Sequence, residues 1–273
     1  MSNFFKKYLP FTGATLQTFV TYRLNFFFFM SARLLRVFVT LYLWQAIYKS
    51  SGKTELMNFS MIEMIIYIVI SDLIANVIMS SNALETIPNE VRSGLISMSL
   101  IKPINYHFQI LFLSLGNLIN VLLYYILPLF IILTGYLFFA HNILPPGIGT
   151  IVLFIFSCLI SYLIYFFFTF MIATISFFTT SIWGISVAMF AIVNFLSGRM
   201  IPIDFFSGYL RIIIQYMPFS SMIYTPVMIY SGKLIGNDML IMMAVQISWL
   251  IIIWGLSMFI WKQAIKKLTI LGG

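Results

Sequence analysis

Two charged residues that fall inside apolar stretches are the first candidates for chemistry. Arg36 lies near the middle of the first long apolar run, and Asp72 lies near the middle of the second. A charge at mid-depth of a bilayer costs about 2.5–3.5 kcal/mol on insertion scales, so each requires a partner or water. Consecutive antiparallel spans would bring both to a similar depth, and we therefore expect a buried Arg36–Asp72 ion pair. The alternative is that the first span begins later, and that Arg33 and Arg36 extend to the inner headgroups.

Two further polar residues share the second apolar run with Asp72. Asn76 follows Asp72 by one helical turn, so both lie on one face, which could be a polar stripe at a subunit interface. Glu63 precedes Asp72 by nine residues, which places the two carboxylates on opposite faces of a helix. The sequence therefore predicts no acid/base pair of carboxylates within this helix.

Other motifs for catalysis or metal binding are incomplete. Gly52-Lys53-Thr54 resembles the end of a phosphate-binding loop, but Ile47 occupies the position where that loop requires glycine. His107 and His141 are isolated at span edges, which predicts no metal site. We expect no catalytic residues in this chain. ATP hydrolysis would have to come from another polypeptide.

Composition defines the class of protein that must position these residues. The chain is 62% hydrophobic and 8% charged, whereas about a quarter of the residues in soluble domains are charged. We therefore expect an all-α integral membrane protein, a single domain over residues 1–273, with six spans of about 20 residues. The predicted spans are 24–48, 59–84, 107–139, 148–178, 181–197 and 239–261.

The basic residues predict the orientation. Six spans place both termini on one side, and that side carries more of the Lys and Arg residues, as cytoplasmic loops do. The bases assigned to the opposite side are Lys49, Lys53, Arg199, Arg211 and Lys233. We expect a multi-pass protein of a prokaryotic plasma (inner) membrane with cytoplasmic termini. The basic residues that give the net charge of +8 lie mostly at the span ends. They form no basic stripe, so the sequence predicts no nucleic-acid partner.

Residues 200–231 form an unusual interruption before the last span. The segment is too apolar for an ordinary loop, yet it contains Asp204, Arg211, Pro202, Pro218 and Pro226 and cannot be one spanning helix. Backbone broken by proline at membrane depth survives only where protein or a water-filled cavity satisfies its polar groups. We predict that this segment dips into the membrane from the outer face and returns, as part of a pathway or a gate.

The first 22 residues predict an interfacial helix. Apolar residues alternate with Lys6, Lys7 and Gln17, as in helices that lie along a membrane surface, with a break near Pro10. A poorly ordered tail is the alternative.

The stretch 85–100 between spans two and three predicts a short amphipathic helix. Thr86 or Ile87 would cap it, Pro88 would lie in its first turn with Glu90 near its N-terminus, and Gly94 would end it in a left-handed conformation. The apolar face consists of Ile87, Val91 and Leu95, and the polar face of Asn89, Glu90, Arg92 and Ser93. Such a helix could transmit force from a soluble partner, or it could simply turn the chain between two spans.

Three patterns resemble a known family. The sequence EVRSGLI at 90–96, followed by LIKPINY at 100–106, is similar to the coupling-helix region of permease subunits of type-two ABC exporters. IPIDFF at 201–206 and the continuation at 210–232, with Pro218, Phe219, Pro226 and Gly232, resemble the outer segment of the same family, as does LWQAIY at 43–48. Phe206 stands where a second proline is expected.

The resemblance implies a six-span subunit that pairs with a second copy or a related permease and binds a cytoplasmic ATPase dimer. It also implies an elbow helix at the inner surface and two short outer helices that re-enter the membrane from outside. ATP and magnesium would be bound by that partner, and no cofactor by this chain. The residues implied to dock in the ATPase are Ile87, Asn89, Glu90, Val91, Arg92, Ser93, Gly94 and Leu95. Substrate would pass near spans two and five, and the residues assigned to the path or outer gate are Asp72, Asn76, Pro202, Phe205, Phe206, Pro218 and Phe219.

Two other functions remain as alternatives. A membrane enzyme that modifies lipids would need converging acid, base or metal groups, and the seven acidic residues and two histidines form no such cluster in the sequence. A channel or sensor scaffold could use the same fold without an ATPase.

Overall fold

The computed structural model describes residues 2–21, 23–179 and 181–271, and these residues are almost entirely helical. Met1 and Tyr22, at the ends of the predicted interfacial segment, lie outside the described residues. So do Gly272 and Gly273, at the end of the predicted domain. The helices before the predicted second span are α1 (Ser2–Thr21) and α2 (Arg23–Ser51).

A small hairpin links α2 to the next helix and marks one end of the bundle, here called the hairpin end. Strands β1 (Glu55–Leu56) and β2 (Phe59–Ser60) pair antiparallel, with Met57 and Asn58 both at positive φ in the turn, as a tight hairpin requires. Helix α3 (Met61–Ile78) begins in a capping box, in which the Ser60 hydroxyl accepts from the Glu63 N–H and the Glu63 carboxylate accepts from the Ser60 N–H.

Helix α3 belongs to the most buried of the long apolar stretches of the described chain, and it ends earlier than the sequence predicted. The predicted second span ran to residue 84, but the helix stops at Ile78 and the chain breaks over 79–82. Helix α4 (Ala83–Ser93) and helix α5 (Ile96–Ile101) follow at what is here called the α4 end.

The third predicted span is one long helical stretch with a local irregularity. Helix α6 (Tyr106–Val121) passes through a π-helical turn, Leu122–Ile126, into helix α7 (Leu127–His141). Pro128 lies just beyond that turn and lacks an N–H to donate, so a widened turn at this point leaves fewer unsatisfied carbonyls. The next helix is α8 (Ile148–Thr174), with a 3-10 turn at Ile175–Phe177.

The last third of the chain contains two regular helices and the broken segment. Helix α9 (Trp183–Leu196) has 14 residues and is followed by a 3-10 turn at Ile203–Phe205. Two short helices come next, α10 (Gly208–Gln215) and α11 (Tyr224–Tyr230). The long α12 (Gly236–Leu271) ends the described chain.

Four helical stretches of the described chain are long and apolar enough to cross a membrane: Met61–Ser93, Tyr106–His141, Ile148–Phe177 and Gly236–Lys266. Helix α9 is apolar but shorter. The predicted first and fifth spans correspond to α2 and α9. The fold is that of an all-α membrane protein.

Helix α1 differs from its prediction at Pro10. The sequence suggested a break there, but α1 runs through Pro10 without interruption. Packing against α6 holds it straight: the Thr12 hydroxyl donates to the Phe112 carbonyl at 2.8 Å, and the Asn105 N–H donates to the Tyr8 hydroxyl at 2.9 Å. At Gly116 the contact is so close that a Cβ atom would lie 2.6 Å from the Thr12 carbonyl oxygen.

Candidate translocation site

Asp72 lies on a buried face of α3 and is the centre of a polar cluster. One carboxylate oxygen accepts from Arg36 Nη2 at 2.8 Å and from Arg199 Nη2 at 2.9 Å. The other accepts from the Tyr125 hydroxyl at 2.6 Å and from Asn76 Nδ2 at 2.9 Å. A buried carboxylate that accepts four hydrogen bonds, two of them from cations, is fully satisfied in its ionised form. We call these five residues the Asp72 cluster.

The predicted contact between Arg36 and Asp72 is present, but the pair is less buried than expected. The Arg36 side chain is 47% exposed, whereas that of Asp72 is 8% exposed. The buried cation of the cluster is Arg199, with a side chain that is also 8% exposed. The charge pattern predicts Arg199 as an outer-side charge at a span end, whereas in the structure its side chain is buried in the bundle and paired with Asp72.

The position of Arg199 follows from the shortness of α9. Its 14 residues rise about 21 Å at 1.5 Å per residue, less than the roughly 30 Å of a hydrocarbon core. The chain therefore leaves the helix near the level of Asp72. Gly198 has φ +78°, a conformation suited to glycine, and its carbonyl accepts from the Tyr67 hydroxyl at 2.5 Å. This turn directs the Arg199 side chain toward Asp72.

Tyr125 was not singled out from the sequence. It lies in the π-helical turn between α6 and α7, and such turns often occur at functional sites. Pro128 was a sequence signal for an irregularity near this position, but the direction of the tyrosine side chain could not be read from it. Arg33 lies close by, with its guanidinium carbon 5.7 Å from the centre of the Tyr125 ring.

An open groove of about 610 Å³ lies beside the cluster, between α2, α3 and α9. Its charged lining residues are Arg36, Asp72 and Arg199. Its other lining residues are mostly apolar and include Val37, Leu43, Trp44, Ile68, Phe190 and Phe195. The groove therefore combines a charged centre with apolar walls.

The segment that was assigned to an outer gate folds back against the bundle. Aromatic rings hold it: Phe205 lies 5.2 Å from Trp44 between ring centres, and Phe206 lies 5.5 Å from Phe195. Phe219 packs at 5.8 Å on Phe168, Pro202 is buried, and Pro218 is half-buried.

Phe206 shows why a second proline is unnecessary in the first turn of this segment. Its backbone has φ −78° and ψ 142°, values that proline also adopts. Its N–H donates to the Ile203 carbonyl at 3.1 Å, a bond that proline could not make. The turn therefore forms with phenylalanine and gains one backbone hydrogen bond.

Polar contacts satisfy the broken backbone within the protein. The Tyr224 N–H donates to the Ser197 carbonyl at 3.1 Å. The Ser221 carbonyl accepts from Gln246 Nε2 at 2.8 Å and from the Ser161 hydroxyl at 3.1 Å. Ser221 thereby contacts the middle of α8 and the first third of α12, and α11 then returns toward the hairpin end.

A second ion pair stabilises the segment near the hairpin end. Arg211 Nη2 donates to Asp204 at 2.5 Å, and the Tyr224 hydroxyl donates to the other Asp204 oxygen at 2.9 Å. Burial raises the pKa of the Tyr224 phenol, and the Asp204 carboxylate raises that pKa further, so Tyr224 remains a hydrogen-bond donor. At the same end, Lys233 pairs with Glu63 at 3.0 Å and donates to the Asn58 carbonyl.

Helix α4, which was assigned to partner docking, begins four residues before the expected position. The sequence predicted a cap at Thr86 or Ile87, but the helix starts at Ala83 and contains Pro88 in its interior. Because Pro88 has no N–H, the helix lacks one backbone hydrogen bond to the Leu84 carbonyl. The packing of the buried Pro88 ring offsets this loss. Gly94 ends the helix at φ +74°, as expected.

The faces of α4 also differ in part from the prediction. Ile87 is fully buried, against a cluster that contains Phe166, Phe170 and Trp261, and Val91 is half-buried. Leu95 lies beyond the helix and is exposed. Glu90 lies in the C-terminal half rather than near the N-terminus, where it accepts from the Tyr106 hydroxyl at 2.9 Å.

The exposed surface of α4 is compact and polar. Asn89, Arg92 and Ser93 are exposed, with Gly94 and Leu95 beside them. Arg92 Nη2 donates to the Asn89 side-chain oxygen at 2.7 Å. This exposed patch, comprising these five residues, is called the α4 surface.

Among the described residues, no three His, Cys, Asp or Glu side chains are grouped so that they could hold a metal ion. The buried His107 ring stacks on Phe170 at 4.1 Å. His141 lies 3.2 Å from the Tyr136 hydroxyl at the end of α7.

Comparison with known proteins identifies the family. No curated protein matches the sequence. A family model described as ABC-2 family transporter protein matches residues 34–272, which is most of the chain and includes the Asp72 cluster, α4 and the broken segment. With its long apolar helices, this chain is a multi-pass membrane permease that belongs to the ABC-2 family of transporter proteins.

Proposed function

We propose that this protein is the permease subunit of an ATP-driven exporter and that a partner ATPase dimer drives it through the α4 surface. The observation that carries the proposal is the connection from α4 to the Asp72 cluster. Only residues 79–82 separate α4 from α3, the helix that bears Asp72. A force on α4 is therefore delivered to the helix that holds the polar centre of the groove.

Contacts across the 79–82 break support this connection. Asn117 Nδ2 on α6 donates to the Ser80 carbonyl and to the Asn82 side-chain oxygen, each at 3.1 Å. The Asn82 N–H donates to the Ser114 hydroxyl at 3.0 Å. Met79 Sδ lies 3.3 Å from Arg199 Nη1. The break is thus a hydrogen-bonded joint with a direct contact to the buried cation of the cluster.

The proposed topology has six spans, with α2 and α9 as the first and fifth, and with both termini in the cytoplasm of a prokaryotic cell. In this topology α1 is the interfacial elbow helix, and the α4 surface faces the cytoplasm. Residues 200–231 re-enter from the outer face as α10 and α11. The satisfaction of their backbone by Ser197, Gln246 and other groups of the bundle supports a position within the membrane.

ATP and magnesium are proposed to bind only in the partner ATPase, and this subunit is proposed to be non-catalytic. A second permease, either an identical copy or a related chain, would complete the transport path. A membrane-embedded lipid-modifying enzyme and an ATPase-independent channel or sensor scaffold are the competing functions.

The test is co-purification of the tagged permease from membranes of its native cells, with the bound proteins probed for an ABC ATPase. Arg92→Glu combined with Ser93→Trp changes the α4 surface, where both side chains are exposed. We expect this variant to remain in the membrane but to lose the ATPase. Lys262→Glu, an exposed charge reversal on α12, is the matched control and should retain it. Retention of the ATPase by the α4 variant, or phosphate release by the purified permease alone, would contradict the proposal.

A further inference from the structure

Positive charge exceeds negative charge in the groove beside α2. Arg36 and Arg199 both contact the single carboxylate of Asp72, and Arg33 lies one helical turn from Arg36. Among the residues that line the groove, Asp72 is the only acid. Since Arg199 is buried and directly paired, it neutralises Asp72, and the charge of Arg36 remains in excess at the open side.

Arg36 is also incompletely hydrogen-bonded. Of its five N–H donors, one donates to Asp72, and no other hydrogen bond of its guanidinium is formed within the described part of the chain. The residue lies near the middle of α2, about 20 Å from either end of the helix. Under the proposed topology, an exposed guanidinium that faces the groove requires a counter-charge or water.

We propose that the groove binds the anionic head of an amphipathic substrate, a phosphate or a carboxylate, and that Arg36 is its contact residue. This inference rests on the proposed transport function and names the chemical class of the substrate. The free donors of Arg36 form a planar fork that matches two oxygens of either anion. The apolar tail lies along the walls formed by Val37, Leu43, Phe190 and Phe195.

The division of roles between the two arginines makes the inference testable. Arg199 holds the cluster together, so its loss would disturb the fold. Arg36 is half exposed, and Asp72 retains Arg199, Tyr125 and Asn76 as donors when Arg36 is removed. Arg36→Gln therefore removes the proposed anion contact while leaving Asp72 satisfied.

The experiment measures binding to the full-length permease in dodecyl maltoside, without the ATPase. Four probes with the same tail are compared by the shift that each produces in the midpoint of thermal unfolding: dodecyl phosphate, dodecanoate, dodecyltrimethylammonium and dodecanol. A ligand that binds only the folded state raises this midpoint by mass action. We expect dodecyl phosphate or dodecanoate to raise it saturably, and the cation and the alcohol to have no such effect. The two anion arms distinguish a phosphate head from a carboxylate head.

Arg36→Gln should weaken anion binding by about tenfold or more, which corresponds to loss of one charge-assisted contact of about 1.5–3 kcal/mol. Arg36→Lys should restore part of the affinity, since it keeps the charge but loses the fork. Arg211→Gln is the matched control, because Arg211 is also 47% exposed and also pairs with one aspartate, but outside the groove. It should bind the anions as the unchanged protein does.

Three results would overturn the inference. The first is an equal response to the anions, the cation and the alcohol. The second is an anion response that Arg36→Gln leaves unchanged. The third is coverage of the groove by a second copy of the chain, detected as efficient disulfide dimerisation of Thr40→Cys in a Cys158→Ser background together with no anion response. If the unchanged protein retains the ATPase but binds no anion, this inference alone is refuted. If the unchanged protein binds the anions but no ATPase co-purifies with it, the transport proposal alone is refuted.

Discussion

Asp72→Asn is the substitution that most directly tests the structural role of the Asp72 cluster. The new side chain has the same shape, so no cavity forms. What changes is charge: Arg36 and Arg199 lose their common counter-ion. We expect a large loss of stability, because the Arg199 side chain is only 8% exposed and cannot reach water.

The expected magnitude follows from the exposure of each cation. Removal of one partner from a buried ion pair costs about 3–5 kcal/mol. Loss of a pair as exposed as that of Arg36 costs less than about 1 kcal/mol. The buried Arg199 therefore accounts for most of the expected loss of stability. At about 2–4 °C per kcal/mol, the lower bound of 3 kcal/mol corresponds to a midpoint lower by about 6–12 °C.

The assay is thermal unfolding of the purified permease in detergent, followed by size-exclusion chromatography of the protein that remains folded. Glu63→Gln is the matched control, because it also removes one carboxylate charge from α3. Its ion pair with Lys233 is at the surface, and the Glu63 side chain is 42% exposed. It should lower the midpoint by less than about 4 °C, which corresponds to about 1 kcal/mol.

A compensating variant separates charge from shape. In Asp72→Asn combined with Arg199→Gln, no buried charge is left without a partner, and most of the lost stability should return. The reasoning is refuted if the double variant is no more stable than Asp72→Asn, or if Asp72→Asn unfolds at the same temperature as Glu63→Gln.

Three other positions give sharp expectations. Gln246→Leu should lower stability by about 1–3 kcal/mol in the same thermal assay, because it removes the donor to the buried Ser161 hydroxyl oxygen and one of the two donors to the Ser221 carbonyl. Gly116→Val should displace α1 from α6, since a Cβ atom there would lie 2.6 Å from the Thr12 carbonyl oxygen. Faster proteolysis within α1 would report this displacement. Gly135→Val is the control and should have no such effect, because the space around its Cβ position is open. Gly198→Ala should destabilise the permease by about 1–2 kcal/mol because of the positive φ alone, and further because the new Cβ atom would contact Tyr67. Thermal unfolding should therefore show a larger loss of stability than for Gly208→Ala, where only the cost of the positive φ applies.

The sequence predicted those features of the fold that depend on local physics. The cost of mid-depth charge led to the contact between Arg36 and Asp72, and the prolines of residues 200–231 excluded one spanning helix between α9 and α12. The two short helices found there were implied by the family resemblance. The left-handed end of α4 followed from Gly94. Each of these depends on one residue type and its nearest neighbours along the chain.

The features that sequence reasoning missed depend on distant segments. Arg199 joins Asp72 only because α9 is too short to complete a crossing, and the charge count by side of the membrane obscured this. Tyr125 reaches Asp72 through a π-helical turn, which no apolar periodicity indicates. The predicted start of α4 was wrong because Pro88 was assumed to lie in the first turn. In the fold, Pro88 is buried and is tolerated in the interior of the helix.

The arrangement of helices suggests why the charged centre lies where it does. Asp72 receives donors from α2, from the turn between α6 and α7, and from the chain after α9, so one carboxylate connects four segments of the bundle. Salt bridges and hydrogen bonds to a common acceptor have discrete geometries, unlike apolar contacts, which can slide. Under the proposed function, a shift of α3 imposed through α4 would therefore exchange one set of donors for another rather than deform the cluster gradually. Because Arg36 borders the groove and Arg199 contacts Met79 at the joint with α4, the two cations would, under that proposal, connect the proposed substrate groove and the proposed site of applied force to the same carboxylate.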